Sequence, residues 1–167
     1  MTIPYRGVTS ESTYFVTANV LQKQSLFQVD KAARLFIEVL LEYRSRKKYL
    51  LHEFVVMPDH LHLILSPTGI TLERSIQCIK GGFSFQLNKN LKVKRDPWQP
   101  SFHDRRVRDS LEYQRFKNYV WENPVKRGLC RAPEEYPYSS ANPQFKLSID
   151  AVPQRLKPIT KTALPQA

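Results

Sequence analysis

Cysteine, glycine and long apolar runs are all scarce in this sequence of 167 residues. The two cysteines, Cys78 and Cys130, lie far apart without Cys-x-x-Cys spacing, so neither a disulfide framework nor a zinc ribbon is supported. No run approaches the roughly 18 apolar residues that a membrane-spanning helix needs. Residues 1–7 lack the apolar core of a signal peptide. We therefore expect a cytoplasmic protein without a membrane partner.

Acidic residues are also scarce relative to basic ones. Asp and Glu number 15 against 26 Lys and Arg, which gives a net charge of +11 and a pI near 9.8. An excess of this size attracts polyanions and is typical of proteins that bind a phosphate backbone, although charge that only maintains solubility is the alternative. The charge is concentrated in two clusters, which we take as candidate DNA contacts: Arg44, Arg46, Lys47 and Lys48, then Arg105, Arg106 and Arg108.

The apolar content is sufficient for one folded unit. Hydrophobic residues make up 41% of the chain, and a chain of this length can bury a core without disulfides. Beyond about Ala141 the periodicity is lost, and several prolines interrupt a polar, basic segment. We predict a single domain over residues 1–149 and a basic, proline-containing tail over 150–167 that is ordered only against the body or DNA.

The hydrophobic periodicity predicts three strands and three helices. The strands are predicted at 12–20, 49–56 and 60–65. The helices are predicted from Asp30 as N-cap to the basic cluster, over 72–88, and from Asp109 to Asn123, with one more turn after Pro124. Residues 89–100 read as a loop, as do His103 and Asp104, and His52 reads as structural. The element order predicts an α+β fold, a ferredoxin-like sandwich whose antiparallel sheet carries helices on one face.

Gly81 and Gly82 lie inside the second predicted helix. Each glycine weakens a helix by about 1 kcal/mol relative to alanine. Either another backbone or a DNA strand approaches closely here, or the helix is kinked or broken at this point. Both interpretations remain open from the sequence.

Two histidines, His60 and His62, stand two residues apart in a predicted strand. Side chains alternate faces along a strand, so the two imidazoles share one face, while Leu61 and Leu63 point to the other. Neighbouring imidazoles on one face can bind a small cation together. A pair of hydrogen-bonded histidines on a half-buried strand is the alternative interpretation.

Tyr119 and Asn123 lie four residues apart on the third predicted helix and therefore share a helical face. A phenol and a carboxamide one turn apart offer a nucleophile and an oxygen ligand in one rigid unit. The alternative is an amphipathic helix with a packed aromatic and a capping asparagine. Tyr113 and Trp121 compete for the same role, and periodicity does not choose among them.

Two motifs together resemble a known family. The stretch MPDHLHLIL from Met57, followed by YVWENPVKRGL from Tyr119, is similar to the REP-associated tyrosine transposases. These are single-tyrosine HUH (histidine, hydrophobe, histidine) nucleases related to the transposases of the smallest single-strand insertion sequences. The resemblance covers roughly Tyr14 to Ala141 and includes WQPSFHDRRVRD and PEEYPYSSAN.

The resemblance implies a role for each matching residue. His60 and His62 would be ligands of Mg²⁺ or Mn²⁺, Tyr119 the nucleophile and Asn123 the third ligand, where many relatives carry glutamine or another histidine. Attack on DNA would give a 5′-phosphotyrosine and a free 3′-hydroxyl, followed by strand transfer. The implied substrate is single-stranded DNA folded into REP-like hairpins, bound in the bacterial cytoplasm and nucleoid by a monomer or homodimer.

Three functional hypotheses follow. The first is a metal-dependent transposase or nuclease that acts through Tyr119. The second is a domesticated protein that binds DNA hairpins and no longer cuts them. The third is a metal hydrolase that uses water on a small phosphoester, with Tyr119 merely packed.

Overall fold

The computed structural model describes residues 12–157, and these form a four-stranded sheet with three long helices. The strands are β1 (Thr13–Asn19), β2 (Tyr49–Val56), β3 (His60–Pro67) and β4 (His103–Val107). The helices are α1 (Asp30–Ser45), α2 (Leu72–Leu91) and α3 (Ser110–Lys126). Within these residues, no helix is both long and apolar enough to cross a membrane.

The sheet is antiparallel with the strand order β2-β3-β1-β4. The two central strands, β3 and β1, are not consecutive in the chain, because α1 and β2 lie between them. This βαββαβ arrangement, with the third helix added after it, confirms the predicted α+β ferredoxin-like sandwich. The register pairs Thr17 with His62 and Asn19 with His60, which fixes the surroundings of the two histidines.

Helices cover both faces of the sheet, so the prediction of helices on one face was wrong. α1 and α2 cover one face, where Phe36 and Phe83 pack with Val16 and Leu63 in the larger core. α3 covers the other face, where Val120 belongs to a second core that includes Val55, Ile64 and Val107. Periodicity identifies the apolar side of a helix but not the face of the sheet that it covers. The histidines therefore lie under α3, away from α1 and α2.

The sequence predicts a loop at His103 and Asp104, whereas the structure places both in strand β4. It pairs with β1, with Thr17 opposite His103 and Phe15 opposite Arg105. β4 is an edge strand whose only buried residue is Val107. Polar side chains on an exposed edge give no apolar alternation to detect.

One helix runs past its predicted end, and another is continuous where a break before a further turn was predicted. α2 continues to Leu91 and ends at Lys92, which adopts the left-handed conformation with φ of 57°. α3 continues through Pro124 to Lys126. Pro124 lies in the last turn, where its missing N–H removes one helical hydrogen bond, and the turn still closes through Arg127 N–H and the Asn123 carbonyl, 3.1 Å apart. At the start of α1, Val29 occupies the N-cap position and Asp30 is the first helical residue.

Gly82 lies where α1 and α2 approach each other, and α2 is unbroken at this point. A Cβ at position 82 would come within 2.7 Å of Cε2 of Tyr43 on α1. Position 81 has open space around it. α2 is therefore not broken at this pair, and the close neighbour of Gly82 is a side chain of α1 and not another backbone.

Residues 150–157 lie against the body of the domain. The Asp150 carboxylate accepts hydrogen bonds from Arg44 and from the backbone N–H of Leu51, and Leu156 is buried in the second core. The remainder of the predicted tail, 158–167, lies outside the described residues, as do residues 1–11. The boundary at residue 149 stays a prediction.

Candidate active site

His60 and His62 lie side by side under α3, both nearly fully buried with 4% of their surface exposed. Their ring centroids are 4.9 Å apart and the rings are close to perpendicular. The strand alternation predicted this shared face. The residues opposite them on β1, Asn19 and Thr17, face the same side, because directly paired residues of an antiparallel ladder share a face.

Each imidazole is oriented by a hydrogen bond at Nδ1. Nδ1 of His62 lies 2.8 Å from the Thr17 hydroxyl, and Nδ1 of His60 lies 2.6 Å from the Asp59 carboxylate. Nε2 of His62 is buried and has no hydrogen-bond partner within residues 12–157. A buried nitrogen left without a partner is costly unless something binds it. The chemistry of this pair fits a metal ion held through Nε2.

The site keeps both imidazoles neutral. Burial lowers the pKa of His62 to about 3, and the charges of His60, Lys23 and Arg127 add to that effect. Burial also lowers the pKa of His60, with Asp59 opposing and the same two cations assisting. Neutral imidazole is the form that binds a metal. Sequence reasoning did not identify Lys23 or Arg127, because neither belongs to the two basic clusters that it considered.

Tyr119 is the exposed aromatic beside this pair. Its ring centroid is 5.1 Å from that of His62 in an edge-on arrangement, and 47% of the residue is exposed. Phe15 supports both rings: it stacks on His62 at 5.3 Å and meets Tyr119 edge-on at 5.8 Å. The structure thus brings together a buried imidazole pair and an accessible phenol.

The other aromatic candidates on α3 are used elsewhere. Tyr113 is buried with its ring edge-on to His52, and burial raises the pKa of its phenol. The indole N–H of Trp121 donates to the Glu53 carboxylate at 2.8 Å. Of the three candidates that the sequence left open, only Tyr119 is both exposed and beside the histidines.

Asn123 lies one helical turn beyond Tyr119 and is 7% exposed. Successive turns of α3 lie over successive residues of its face of the sheet: Phe116 stacks on Phe15, and Tyr119 contacts His62. By the same spacing we expect the next turn to bring Asn123 toward His60. No cluster of three His, Cys, Asp or Glu residues that could bind a metal occurs within residues 12–157, so a third protein ligand would have to be of another type.

An open groove of about 400 Å³ adjoins the histidines on the β4 side. Phe15, Thr17, His103 and Arg105 line it together with Phe102 and Asp104. The strand register places Arg105 opposite Phe15, so this arginine shares the face that carries the site. Because β4 was not predicted from the sequence, the position of Arg105 on this face was not predicted either.

The first basic cluster lies far from the histidines. Tyr49, directly after Lys48, pairs with Pro67 at the opposite end of β3 from His60, which is roughly 23 Å at about 3.3 Å per residue. Arg44 forms a two-point ion pair with Asp150 at 2.8–2.9 Å, and Arg46 pairs with Glu42 at 2.5 Å. The Arg44 guanidinium therefore already has a carboxylate partner within the chain.

In the second cluster, Arg105 and Arg106 are exposed on β4. Arg108 interacts with Glu112 at the start of α3. The Asp109 side chain accepts a hydrogen bond from the Glu112 backbone N–H at 2.8 Å and so caps the start of α3.

Comparison with known proteins decides the family. The family model described as "Transposase IS200 like" matches residues 9–123, well over half of the chain. The chain belongs to the IS200-like transposase family. This family member is 28% identical over 162 residues to a Haemophilus influenzae protein whose name places it among the REP-associated tyrosine transposases, with 86% of this chain and 88% of the relative covered. The resemblance found in the sequence is thereby confirmed.

Two further relatives support this family assignment. The REP-associated tyrosine transposase of Escherichia coli K12 is 24% identical over 131 residues, which cover 77% of this chain and 75% of the relative. A solved structure of a REP-associated tyrosine transposase bound to a REP hairpin superposes with a TM-score of 0.71 at 20% identity, with 96% of each chain covered. At that identity the superposition shows the shared fold.

Proposed function

We propose that this family member is a metal-dependent single-strand DNA endonuclease and transposase in which Tyr119 attacks a phosphodiester at hairpin DNA. The observation that carries the proposal is the exposed Tyr119 phenol beside His62, whose buried Nε2 has no partner within the described residues. Simple packing of Tyr119 would not explain why a buried imidazole nitrogen beside it has no hydrogen-bond partner within the described residues.

The proposed step exchanges one phosphate ester for another. The Tyr119 oxygen bonds to phosphorus, the bond from phosphorus to the 3′-oxygen breaks, and the products are a 5′-phosphotyrosine and a free 3′-hydroxyl. The phenol loses its proton and the leaving oxygen gains one, so the step is balanced without a further reactant. Since the ester energy is retained in the tyrosine link, a 3′-hydroxyl can reverse the attack and complete strand transfer.

His60, His62 and Asn123 are the residues that would hold Mg²⁺ or Mn²⁺. Such a cation would supply charge stabilisation at the non-bridging phosphate oxygens. Two imidazoles suit Mn²⁺ better than Mg²⁺, which prefers oxygen ligands. Asp59 and Thr17 would hold the two rings in the orientation that presents Nε2.

The proposed substrate is a single-stranded hairpin of the REP type. The structural relative is bound to a REP hairpin, and the net charge of +11 suits a polyanion. Phe15 and Phe102 in the groove could stack the unpaired bases beside the hairpin, with Arg105 at a phosphate. The remaining candidate contacts to the DNA backbone are Arg46, Lys47, Lys48, Arg106 and Arg108. Arg44 is paired with Asp150, so its main contribution would be to stability. The protein would act in the cytoplasm and nucleoid, as a monomer or homodimer.

A denaturing gel tests the proposal. The protein is incubated with Mn²⁺ and single-stranded hairpin DNA from the flanks of its gene. A slow protein–DNA band is expected for the native chain and for the control Tyr113→Phe, and it should be absent for Tyr119→Phe and after chelation. Hairpins that are bound but never cut, with metal uptake verified, would instead indicate the domesticated binding protein.

A further inference from the structure

Lys23 lies in a short turn directly after β1, and this turn is attached to the segment that precedes His60. The backbone N–H of Val20 donates to the Asp59 carbonyl at 3.0 Å, and that of Leu21 donates to the Pro97 carbonyl at 2.7 Å. The turn therefore has a fixed position relative to the imidazole pair.

The backbone of this turn is strained. Gln22 and Lys23 both adopt the left-handed conformation, with φ of 56° and 55°, although neither is glycine. This conformation costs free energy in any residue with a Cβ, and two such residues in succession are unusual. Strain of this kind persists where the surroundings impose it, and it concentrates at functional sites.

The Lys23 side chain lies back toward the end of β1. Its ammonium donates to the Asn19 carboxamide oxygen at 2.6 Å. Asn19 is the direct partner of His60 in the β1–β3 ladder and faces the same side of the sheet. The ammonium is thus held beside the imidazole pair, on an exposed residue that DNA can reach.

A lysine ammonium at this place is suited to bind an anion that reaches the imidazole pair. Its hydrogen bond to Asn19, the direct ladder partner of His60, places a positive charge on the side of the sheet that carries the imidazole pair. Nothing in the packing of the core requires it, because the residue is exposed and its hydrogen bond is to another partly exposed side chain.

We propose that Lys23 is a further catalytic residue that binds the phosphate attacked by Tyr119. This inference rests on the function proposed above. When DNA binds, the ammonium exchanges Asn19 for a non-bridging phosphate oxygen and stabilises the negative charge that develops there. A lysine that only secures the end of β1 is the competing explanation.

The test separates rate from binding. Single-turnover adduct formation at saturating hairpin DNA and hairpin Kd are measured for the native chain, Lys23→Gly and Lys23→Arg. Glycine removes the ammonium and accepts the left-handed backbone, so the fold is retained, which a thermal melt verifies. Lys146→Gln is the control, because it removes an equal charge from an exposed residue next to Phe145, which packs on Phe54 of β2.

We expect Lys23→Gly to lower the rate about tenfold or more, with Kd changed less than about threefold, since one phosphate contact adds little to total affinity. Lys23→Arg should recover most of the rate, and Lys146→Gln should alter neither quantity. A Lys23→Gly rate within twofold of the native one, or a rate loss matched by the loss in affinity, would overturn the proposal. If the native chain forms no adduct at all, the proposed function itself fails.

Discussion

The Thr17 hydroxyl lies 2.8 Å from Nδ1 of His62, and this hydrogen bond determines which ring nitrogen faces the candidate site. If Nδ1 carries the proton and donates to Thr17, Nε2 keeps the lone pair that a metal needs. Thr17 is one residue of β1, paired with His62 across the ladder. The sheet register therefore sets the orientation of a proposed metal ligand.

Removing this hydroxyl should weaken metal binding. We expect Thr17→Val to raise the Kd for Mn²⁺ by about 10- to 100-fold, because the ring loses the hydrogen bond that holds its orientation. Thr17→Ser keeps the hydroxyl and serves as the matched control. Isothermal titration calorimetry measures both, and equal affinities for the two variants would show that Thr17 does not position the ligand.

The stability of the metal-free protein should fall in acid because His62 resists protonation. Its folded pKa is about 3, whereas a histidine in the unfolded chain titrates near 6.5. Between these values the unfolded chain binds the extra proton, so stability is fully present above about pH 6.5 and is lost as pH falls toward 3. The loss is about 1.4 kcal/mol per pH unit for such a histidine.

Urea denaturation between pH 7 and 4.5, in the presence of a chelator, measures this slope. His62→Gln should show a shallower dependence than the native chain. His60 and His52, whose pKa values are also lowered by burial, supply the part that remains. Identical slopes for the native chain and His62→Gln would contradict the account.

Arg44 and Lys47 should behave differently although they belong to one basic cluster. Arg44 is ion-paired with Asp150, both side chains being about one quarter exposed. We expect Arg44→Gln to lower the free energy of unfolding by about 1–3 kcal/mol, because the Asp150 carboxylate loses its charged partner. Lys47→Asn removes an exposed charge at a left-handed position that asparagine tolerates, and should change stability by less than about 0.5 kcal/mol.

Urea denaturation and hairpin binding, measured on both variants, separate the two roles. Lys47→Asn should weaken hairpin binding, with a reduced salt dependence, if Lys47 contacts phosphate. A stable Arg44→Gln protein with weakened DNA binding would show that Arg44 serves DNA and not the fold.

The two adjacent glycines of α2 form a matched pair. Gly81→Ala should raise the free energy of unfolding by about 0.5–1 kcal/mol, because alanine favours the helix and its Cβ meets open space. Gly82→Ala should lose that gain and destabilise the protein, since its Cβ would come within 2.7 Å of Tyr43. Denaturant unfolding measures both, and equal effects at the two positions would mean that Tyr43 moves aside freely.

Much of the site was predictable because it rests on local periodicity. Alternation along β3 placed His60 and His62 together, and four-residue spacing placed Tyr119 and Asn123 on one helical face. The sequence did not choose among Tyr113, Tyr119 and Trp121, because burial depends on how α3 sits over the sheet.

The remaining features depend on contacts that no local pattern encodes. β4 is an edge strand with polar residues, so it lacks the alternation that reveals a half-buried strand. The partner of Arg44 lies 106 residues further along the chain. Lys23 is placed beside Asn19 by a turn in which Gln22 and Lys23 are both left-handed, and neither residue carries a sequence signal for that conformation.

End-labelled DNA tests the central claim, attack by Tyr119 to give a 5′-phosphotyrosine, most directly. The hairpin substrate is labelled at its 3′ end in one sample and at its 5′ end in another, then incubated with Mn²⁺ and the protein. The account predicts that the protein retains the 3′ label through denaturation, that the 5′ label leaves on a shorter strand ending in a 3′-hydroxyl, and that Tyr119→Phe retains neither. Cleavage without a labelled protein, or a label that persists in Tyr119→Phe, would contradict it.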